Sequence, residues 1–470
     1  GDQKWVPVQD TFLRDPHLTA PDAKWNNVCI KCHAVAGRPG IDARTRTVNT
    51  ETAELGISCE ACHGPAKAHI AHYQNPVNRY TSHLGDKAVN AILNPGSETL
   101  DHRLSAQACG QCHSYQSQSQ AQKIDWNKNG PRFLPGQNLK PRVAVVHASN
   151  FIADKNPGTP AELKAFVATH KHLPLGRGDL LDRFWPDGMV RVTGREYNGL
   201  LDTPCFQRGK MSCLSCHSMH GYHDKNDQLA PRMETNNACL QCHDDLRENL
   251  TAHTHHAANS AGSHCYNCHM PHTTYGLLNS IRSHQIDSPS VETQLKTGRP
   301  NACNLCHLDR TLEWTSQRLA KWYGHRQPPL DNDDKTISST LKLLLKGDAG
   351  QRAIAAWHMG WKPARNAGGG DWQAPWLLRA MDDPYAAVRY IAHKALMADL
   401  EFADTPFDYT ASSDKRTGQV VNALGQWRER QEHGQAVRPE LLLDATGEPL
   451  DNAADKLARQ RDNRPMTLQE

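Results

Sequence analysis

The sequence has little of the apolar material from which a chain of its length usually builds a core. Hydrophobic residues make up 38% of its 470 positions, aromatic residues 6%, and the mean hydropathy is −0.69. No stretch approaches the roughly 20 apolar residues that a helix needs to cross a bilayer. The sequence therefore predicts no transmembrane segment, and a core that draws on material other than its own side chains.

The sequence also lacks an excess of charge of either sign. Its 53 basic residues nearly balance 50 acidic ones, which gives a formal net charge of +3. No long basic run offers the electrostatic footprint of a nucleic-acid-binding protein. Nucleic acid is therefore not an expected partner.

Cysteine, in contrast, is present in a strict pattern. Fourteen of the fifteen cysteines stand in seven copies of Cys-x-x-Cys-His. This spacing is typical of c-type haem attachment, because two thiols three positions apart can add to the two vinyl groups of one haem while the next imidazole binds its iron. The predicted haem-binding cysteines are Cys29, Cys32, Cys59, Cys62, Cys109, Cys112, Cys213, Cys216, Cys239, Cys242, Cys265, Cys268, Cys303 and Cys306. The predicted proximal iron ligands are His33, His63, His113, His217, His243, His269 and His307.

Two other readings of the motifs explain less of the pattern. Zinc sites would pair the Cys-x-x-Cys half-sites, yet their number is odd, and zinc gives no reason for a histidine after every second cysteine. Disulfides require no histidine at a fixed offset either. The sequence therefore predicts seven covalent haem c groups, whose apolar faces supply the missing core, and a haem region that is largely unfolded without them.

The second axial ligand decides what each iron can do. An iron held by two imidazoles is closed and moves electrons, whereas an iron with a vacant face can bind and transform a ligand. Of the 27 histidines, twenty lie outside the motifs, which is enough to close every iron. Met219 and Met270 are alternative ligands, but each adjoins its own motif and is expected to pack there. The candidate distal ligands are His17, His69, His147, His220, His256, His272 and His284.

The motifs and the turn signals divide the chain into five regions, and the predicted fold class is mainly α with extensive loops and little β-structure. A haem-stacked array is followed by helices with a 3.6-residue apolar period, which indicates HEAT-like repeats. The repeats are expected either to dock on the haem region through Trp357, Trp361, Trp372 and Trp376 or to form a partner-binding surface. The tail after about residue 401 reads as polar and loop-like, either wrapping or disordered. The predicted regions are a three-haem region (1–125), a loop-rich connector (126–200), a four-haem region (201–330), the HEAT-like repeats (331–400) and a polar C-terminal extension (401–470).

Several runs resemble a family of secreted multihaem c-type cytochromes that join a haem array to helical repeats. They include Arg208 to His220 around the fourth motif and Cys265 to Pro271 around the sixth. The Cys-His-Met-Pro element is also similar, more distantly, to the last haem region of pentahaem nitrite reductases and octahaem cytochromes. That resemblance implies a distal-ligand role for His284. The lysine-ligated catalytic haem of those reductases has no counterpart, because no Cys-x-x-Cys-Lys is present.

Cys205 is the cysteine that no motif uses. It is either a buried, inert small hydrophobe or a functional thiol: a ligand above an iron, a soft-metal ligand beside histidine, or a substrate-reactive sulfur. With Arg208 and His223 it forms the candidate catalytic set, in which a cation would stabilise a developing oxyanion.

The leading hypothesis is a heptahaem cytochrome that carries electrons by hopping through closely packed, mostly bis-histidine haems. Because haem is attached outside the cytoplasm, the chain is expected in the periplasm or extracellular space, with Gly1 as the start of a processed or trimmed sequence. Redox proteins are the expected partners, with self-association as a further option. The alternatives are an oxidoreductase with one open iron acting on a small nitrogen or sulfur oxyanion, and a subunit of an extracellular cytochrome filament.

Overall fold

The protein is described from a computed structural model that covers residues 11–17, 25–81, 84, 92–146, 182–222, 224–399, 402–430 and 438–468. Within these ranges the chain is mainly helical, with extensive loops and only short strands, so the predicted fold class is confirmed. No helix in these ranges has both the length and the apolar character needed to span a membrane.

Short helices carry the part of the chain that holds the motifs. They are α1 (Cys59–His63), α2 (Lys67–Tyr73), α3 (Pro76–Thr81), α4 (His102–Gly110), α5 (Gln120–Asn129), α6 (Glu196–Leu201), α7 (Pro204–Gln207), α8 (Asn237–Leu240), α9 (Leu250–Thr254) and α10 (Cys265–His269). Single 3₁₀ turns lie between them at Cys29–Lys31, Cys213–Ser215, Asp244–Leu246 and Ala261–Ser263.

The strands of the described part form four two-stranded antiparallel sheets. Each sheet holds together the two ends of a loop, and the sheets do not join into a larger one. The pairs are β1 (Ala34–Val35) with β4 (Glu54–Leu55), β2 (Ile41–Asp42) with β3 (Thr47–Val48), β5 (Gln116–Ser117) with β6 (Ala144–Val145), and β7 (Thr274–Gly276) with β8 (Asn279–Ile281).

The helices that follow are longer, and their ends have clear sequence causes. Thr311, Ser338 and Asp348 each accept a hydrogen bond from a backbone N–H of the first turn, as good N-cap residues do. These helices are α11 (Val291–Thr297), α12 (Leu312–Tyr323), α13 (Asn332–Thr336), α14 (Ser339–Lys346), α15 (Ala349–Gly360), α16 (Lys362–Gly368), α17 (Ala374–Ala380), α18 (Ala386–Leu396), α19 (Ser413–Arg430) and α20 (Asp451–Ala458), with a 3₁₀ turn at Pro439–Leu441.

The largest apolar core lies in this helical part, not around the motifs. Helices α15 and α18 pack closely enough that a Cβ built on Gly360 would stand 2.8 Å from the Cα atom of Ala395. Trp372 and Trp376 are each 1% exposed within the same core. Among the described residues of 213–270, in contrast, Leu240 is the one buried hydrophobic side chain. The helix pairs predicted here are present, and their assignment to HEAT repeats stays a prediction.

The tail after residue 401 differs from the expectation of a loop-like or disordered segment. It contains α19 and α20, and it buries Trp427, Leu441 and Leu457 in the main core. Leu468 forms a β-bridge with Leu13. The polar composition of the segment hid these elements, because a few apolar residues at helical spacing suffice to anchor a helix on a core that other residues build.

The connector contributes more than a link. Residues 147–181 lie outside the described part, but residues 182–200 run into the core, where Phe184, Val190 and Val192 join the main apolar cluster. Val192 also forms a parallel β-bridge with Tyr275, which follows the sixth motif. This segment therefore ties the motif region to the helical part.

Candidate haem sites

All seven motifs fold as a single helical turn. In each one the backbone N–H of the histidine, or of the residue after it, bonds a carbonyl four positions earlier. The bonds run from His33 to Cys29, Gly64 to Glu60, His113 to Cys109, His217 to Cys213, His243 to Cys239, Met270 to Tyr266 and His307 to Cys303. Since residues three and four apart share one face of a helix, each turn presents its two thiols and its imidazole to one side, as one haem requires.

Four motif histidines face another histidine at a uniform separation. The ring centroids lie 6.0–6.2 Å apart and the ring planes differ by 12–29°. The pairs are His63 with His220, His217 with His284, His269 with His253, and His307 with His256.

This separation fits one iron between two imidazoles. A metal–imidazole bond is about 2 Å long. Two such bonds on opposite sides of an iron, with each ring centre just over 1 Å behind its nitrogen, place the centroids about 6 Å apart. The rings are too far apart to be in contact with each other, so each pair leaves room for one metal atom between its nitrogens.

The hydrogen bonds of the rings point the same way. The Nδ1 atom of His217 lies 3.0 Å from the carbonyl oxygen of Asp227, and that of His284 lies 3.2 Å from the carbonyl oxygen of Arg282. A carbonyl oxygen can only accept, so each Nδ1 carries the proton and each Nε2 keeps its lone pair. Both rings of this pair therefore offer a ligand nitrogen.

The predicted distal ligands separate into three groups. His220, His256 and His284 face motif histidines. His17 is exposed, and His69 lies against Tyr73, so neither faces a motif histidine among the described residues. His147 lies outside the described part of the chain.

His272 has different surroundings from those expected of an iron ligand. Its ring centroid lies 4.7 Å from that of Trp357 and 5.2 Å from that of Trp361. Burial lowers the pKa of this imidazole well below its ordinary value. Trp357 also donates a hydrogen bond to Asn279 in the adjacent strand. This contact joins the loop after the sixth motif to α15, as the predicted docking role of Trp357 and Trp361 requires.

His253 takes a position that the sequence prediction did not assign. It faces His269, with centroids 6.2 Å apart. The run His253-Thr254-His255-His256 contained the signal, because three histidines in four residues exceed what one iron can use. Sequence alone could not tell which ring turns toward which motif.

Neighbouring motifs contact one another directly. The Sγ atom of Cys32 lies 3.9 Å from the carbonyl oxygen of Cys112, which joins the first and third motifs. The side chains of Cys109 and Cys213 are within hydrogen-bonding reach, so the third motif also adjoins the fourth across about 100 residues of sequence. Cys239 and Cys265 make the same kind of contact between the fifth and sixth.

Two glutamines make the same kind of hydrogen bond between motifs, at two different places in the chain. Gln111 in the third motif donates its Nε2 to the carbonyl oxygen of Ala61 in the second, at 2.8 Å. Gln241 in the fifth motif donates to the carbonyl oxygen of Ser215 in the fourth, at 3.2 Å. Both amides also bond the carbonyl three residues earlier in their own segment. The second and third motifs are therefore built like the fourth and fifth.

The histidine of the third motif has a carboxylate as its hydrogen-bond partner. His113 Nδ1 donates to Glu196 Oε2 at 2.8 Å, whereas the Nδ1 atoms of His63, His217 and His269 bond backbone carbonyl oxygens. Burial alone would raise the pKa of Glu196, but the hydrogen bond from His113 and the electrostatic effect of the nearby His284 and His113 rings together outweigh burial and hold the pKa at about 2. An ionised carboxylate behind a ligating histidine makes that ligand more basic.

Replacing Glu196 by glutamine is expected to raise the midpoint potential of the haem at the third motif. The substitution removes the negative charge that favours ferric iron, while the amide oxygen can still accept a hydrogen bond from His113 Nδ1. Spectroelectrochemical titration of the wild type and of Glu196→Gln measures the shift. Unchanged potentials in the variant would remove Glu196 from this role.

Two of the three candidate catalytic residues, Cys205 and Arg208, lie among the described residues. The ring opposite His217 is His284, so a histidine occupies the side where a thiol ligand was considered. Cys205 lies in α7, and Arg208 ends the same helix and is exposed. His223 lies outside the described residues. No group of three His, Cys, Asp or Glu side chains suited to a further metal is present in the described ranges.

Two family models match parts of the chain. The doubled CXXCH motif matches residues 205–248, which hold the fourth and fifth motifs, and cytochrome c554 and c-prime matches residues 9–64, which hold the first and second. No curated protein is a significant match. The crystal structure of the outer cell wall cytochrome OcwA is similar at a TM-score of 0.39 and 18% identity, over 80% of this chain and 76% of that chain. The motifs, their helical geometry and the two family-model matches identify this chain as a multihaem c-type cytochrome.

Proposed function

We propose that the chain carries seven haem c groups and transfers electrons between redox partners outside the cytoplasm. Haem c bound at the motifs supplies redox-active iron, between which electrons hop. The observation that carries this proposal is the unbroken run of motif contacts, in the order first, third, fourth, fifth and sixth, with the second motif joined at the third. The segment that holds His253 and His256 links the sixth motif to the seventh, because His253 faces His269 and His256 faces His307.

The facing histidines support a carrier over an enzyme. His220, His284, His253 and His256 each stand opposite a motif histidine at the spacing of a six-coordinate iron. An iron ligated on both faces has no position for substrate. On this proposal the four pairs are bis-histidine sites, and the polypeptide holds them at fixed separations so that no ligand has to move during transfer.

The path is branched in this proposal, not linear along the sequence. The third motif adjoins the first through Cys112, the second through Gln111 and the fourth through Cys109. Electrons that enter at either of the first two motifs would converge at the third. The half-buried carboxylate of Glu196 lies at this convergence, where it tunes the potential of the shared site.

An exported location follows from the same chemistry, because c-type haem is attached outside the cytoplasm. We propose the periplasm or the cell exterior, with other redox proteins as partners. Arg195 is suited to form an ion pair with a haem propionate near the first and third motifs, since its Nε is buried without a hydrogen-bond partner in the described structure. A buried cationic group needs a charged or hydrogen-bonding partner. A haem propionate would be such a partner.

Replacing His284 by alanine is expected to open the iron of the fourth motif. One haem equivalent should change from low-spin to high-spin in electron paramagnetic resonance, because a proximal histidine alone leaves one face vacant. Electron transfer from the first motif to the seventh should slow, since the fourth lies mid-path. His17→Ala is the matched control, because His17 is exposed and faces no described motif histidine. A His284→Ala spectrum identical to wild type would contradict the pairing.

The same spectra separate the carrier from the oxyanion-reducing enzyme. A wild-type high-spin haem that responds to nitrite or sulfite, with turnover of that anion, would favour the enzyme. The carrier predicts that added anion leaves the spectrum of the wild type unchanged.

A further inference from the structure

The segment of residues 250–256 offers ligands to two different irons. His253 faces His269 of the sixth motif, and His256 faces His307 of the seventh. On a continuous helix, residues three apart project from one face. Both rings would then turn toward the same motif, so something must redirect the chain between them.

The backbone changes direction at His255. It ends α9 with φ 55° and ψ 27°, a left-handed conformation that non-glycine residues seldom adopt. Its ring stacks on Trp322 of α12, with centroids 4.6 Å apart and planes 14° apart, and it meets Tyr323 edge-on. These ring contacts stabilise the unusual conformation, because they hold the His255 side chain against α12.

The two ligands on either side of His255 are held separately. Tyr323 donates its hydroxyl to the carbonyl oxygen of His253 at 2.6 Å, which ties the first ligand to α12. The Nδ1 atom of His256 lies 2.6 Å from the carbonyl oxygen of Thr254, so Nε2 is left to face His307. Gly262 lies against this second ring: a Cβ built there would stand 2.1 Å from Cδ2 of His256.

We propose that His255 is a positioning residue that divides its neighbours His253 and His256 between the irons of the sixth and seventh motifs, and that Gly262 leaves the space His256 needs. The inference rests on the proposed bis-histidine sites and adds to the proposed function how two of them are formed. The two haems then form one ligand-coupled pair: a change in this turn alters both coordination spheres, whereas a change at Gly262 alters only the seventh.

The test compares His255→Val, His255→Gly and Gly262→Ala in the full-length holoprotein. A β-branched side chain strongly disfavours the left-handed conformation, whereas glycine adopts it freely. His255→Val is expected to lose the low-spin resonance signal of two haem equivalents, and His255→Gly to keep both. Gly262→Ala is expected to lose one, and exogenous imidazole should restore it by taking the vacated position.

Gly425→Ala is the matched control, because a Cβ at Gly425 meets nothing within 4 Å in the described structure. Loss of one haem equivalent or none in His255→Val, no rescue by glycine, or an unchanged spectrum in Gly262→Ala would each overturn the inference. If His255→Val does not mature with its full haem content, the spin count of Gly262→Ala decides the question, together with that of Trp322→Leu. Trp322→Leu removes the stacking partner and should perturb both haems; a wild-type spectrum in it would also count against the inference.

Failure of the underlying function would look different. A wild-type protein that already lacks low-spin signals for these two haems would refute the bis-histidine sites themselves. Wild-type low-spin signals with unresponsive variants would refute only the roles of His255 and Gly262.

Discussion

A chain produced without haem is expected to lose the structure of residues 213–270 while it keeps the helical core of residues 338–468. Among the described residues of the first range, one hydrophobic side chain, that of Leu240, is buried, and the α-helices there have four or five residues. Isolated helices of that length are not stable in water. The haem faces must therefore supply the apolar contacts that the sequence does not.

Hydrogen–deuterium exchange followed by mass spectrometry measures this result. Peptides from 213–270 should exchange at the rate of an unfolded chain in the haem-free protein and should be protected in the holoprotein. Peptides from α14, α15 and α18 serve as the internal control, because their buried apolar side chains pack on one another and should remain protected in both forms. Protection of residues 213–270 without haem would refute the assignment of the haems as core.

Replacing Asp348 by alanine is expected to lower the free energy of unfolding by about 3–5 kcal/mol, because it leaves a buried guanidinium without its partner. Arg191 binds Asp348 through both terminal nitrogens, at 2.9 and 2.7 Å, and the two side chains are 2% and 5% exposed. Arg464 adds a third contact at 2.9 Å. The cluster joins the connector, α15 and the C-terminal tail, so its loss should loosen all three.

Denaturant unfolding followed by circular dichroism gives the measurement, and Asp333→Ala is the control. Asp333 pairs with Lys346 at 3.4 Å where both side chains are about a third exposed, so its loss should cost about 1 kcal/mol or less. A loss of stability in Asp348→Ala no greater than in the control would contradict the role of the buried cluster.

The pH dependence of the same pair has a definite sign. Burial would raise the pKa of Asp348, but the charge and hydrogen bonds of Arg191 outweigh it and bring the pKa to about 2, below the ordinary value of 3.8. A carboxyl with a depressed folded-state pKa stabilises above its unfolded pKa and loses that contribution as pH falls toward the folded pKa. The stability difference between wild type and Asp348→Ala should therefore be full above about pH 4 and shrink toward pH 2.

Sequence reasoning succeeded where chemistry fixes spacing. The Cys-x-x-Cys-His pattern predicted covalently bound haem c, because thioether formation and iron ligation both demand that local spacing, and the two family-model matches agree with it. The mainly helical fold and the scarcity of core side chains were equally accessible from composition and periodicity. These features depend on residues that are close together in the chain.

Which histidine faces which motif could not be predicted from the sequence, because tertiary structure brings the paired rings together. His220 lies 157 residues beyond His63, which it faces, and His253 could not be separated from its neighbour His255 until the left-handed turn was known. The contact of the third motif with the fourth was hidden for the same reason: the intervening chain gives no local signal of how its ends meet. The helix α19 was missed because its anchoring side chains are few.

Haem quantification combined with electron paramagnetic resonance of the air-oxidised protein, with and without nitrite and sulfite, tests whether the chain is a heptahaem electron carrier. We expect seven haems per chain and at least four low-spin ferric signals, one for each histidine pair, that do not respond to either anion. Fewer than seven haems would contradict the proposed array. A high-spin signal that shifts with nitrite or sulfite would contradict the carrier and show an open iron instead.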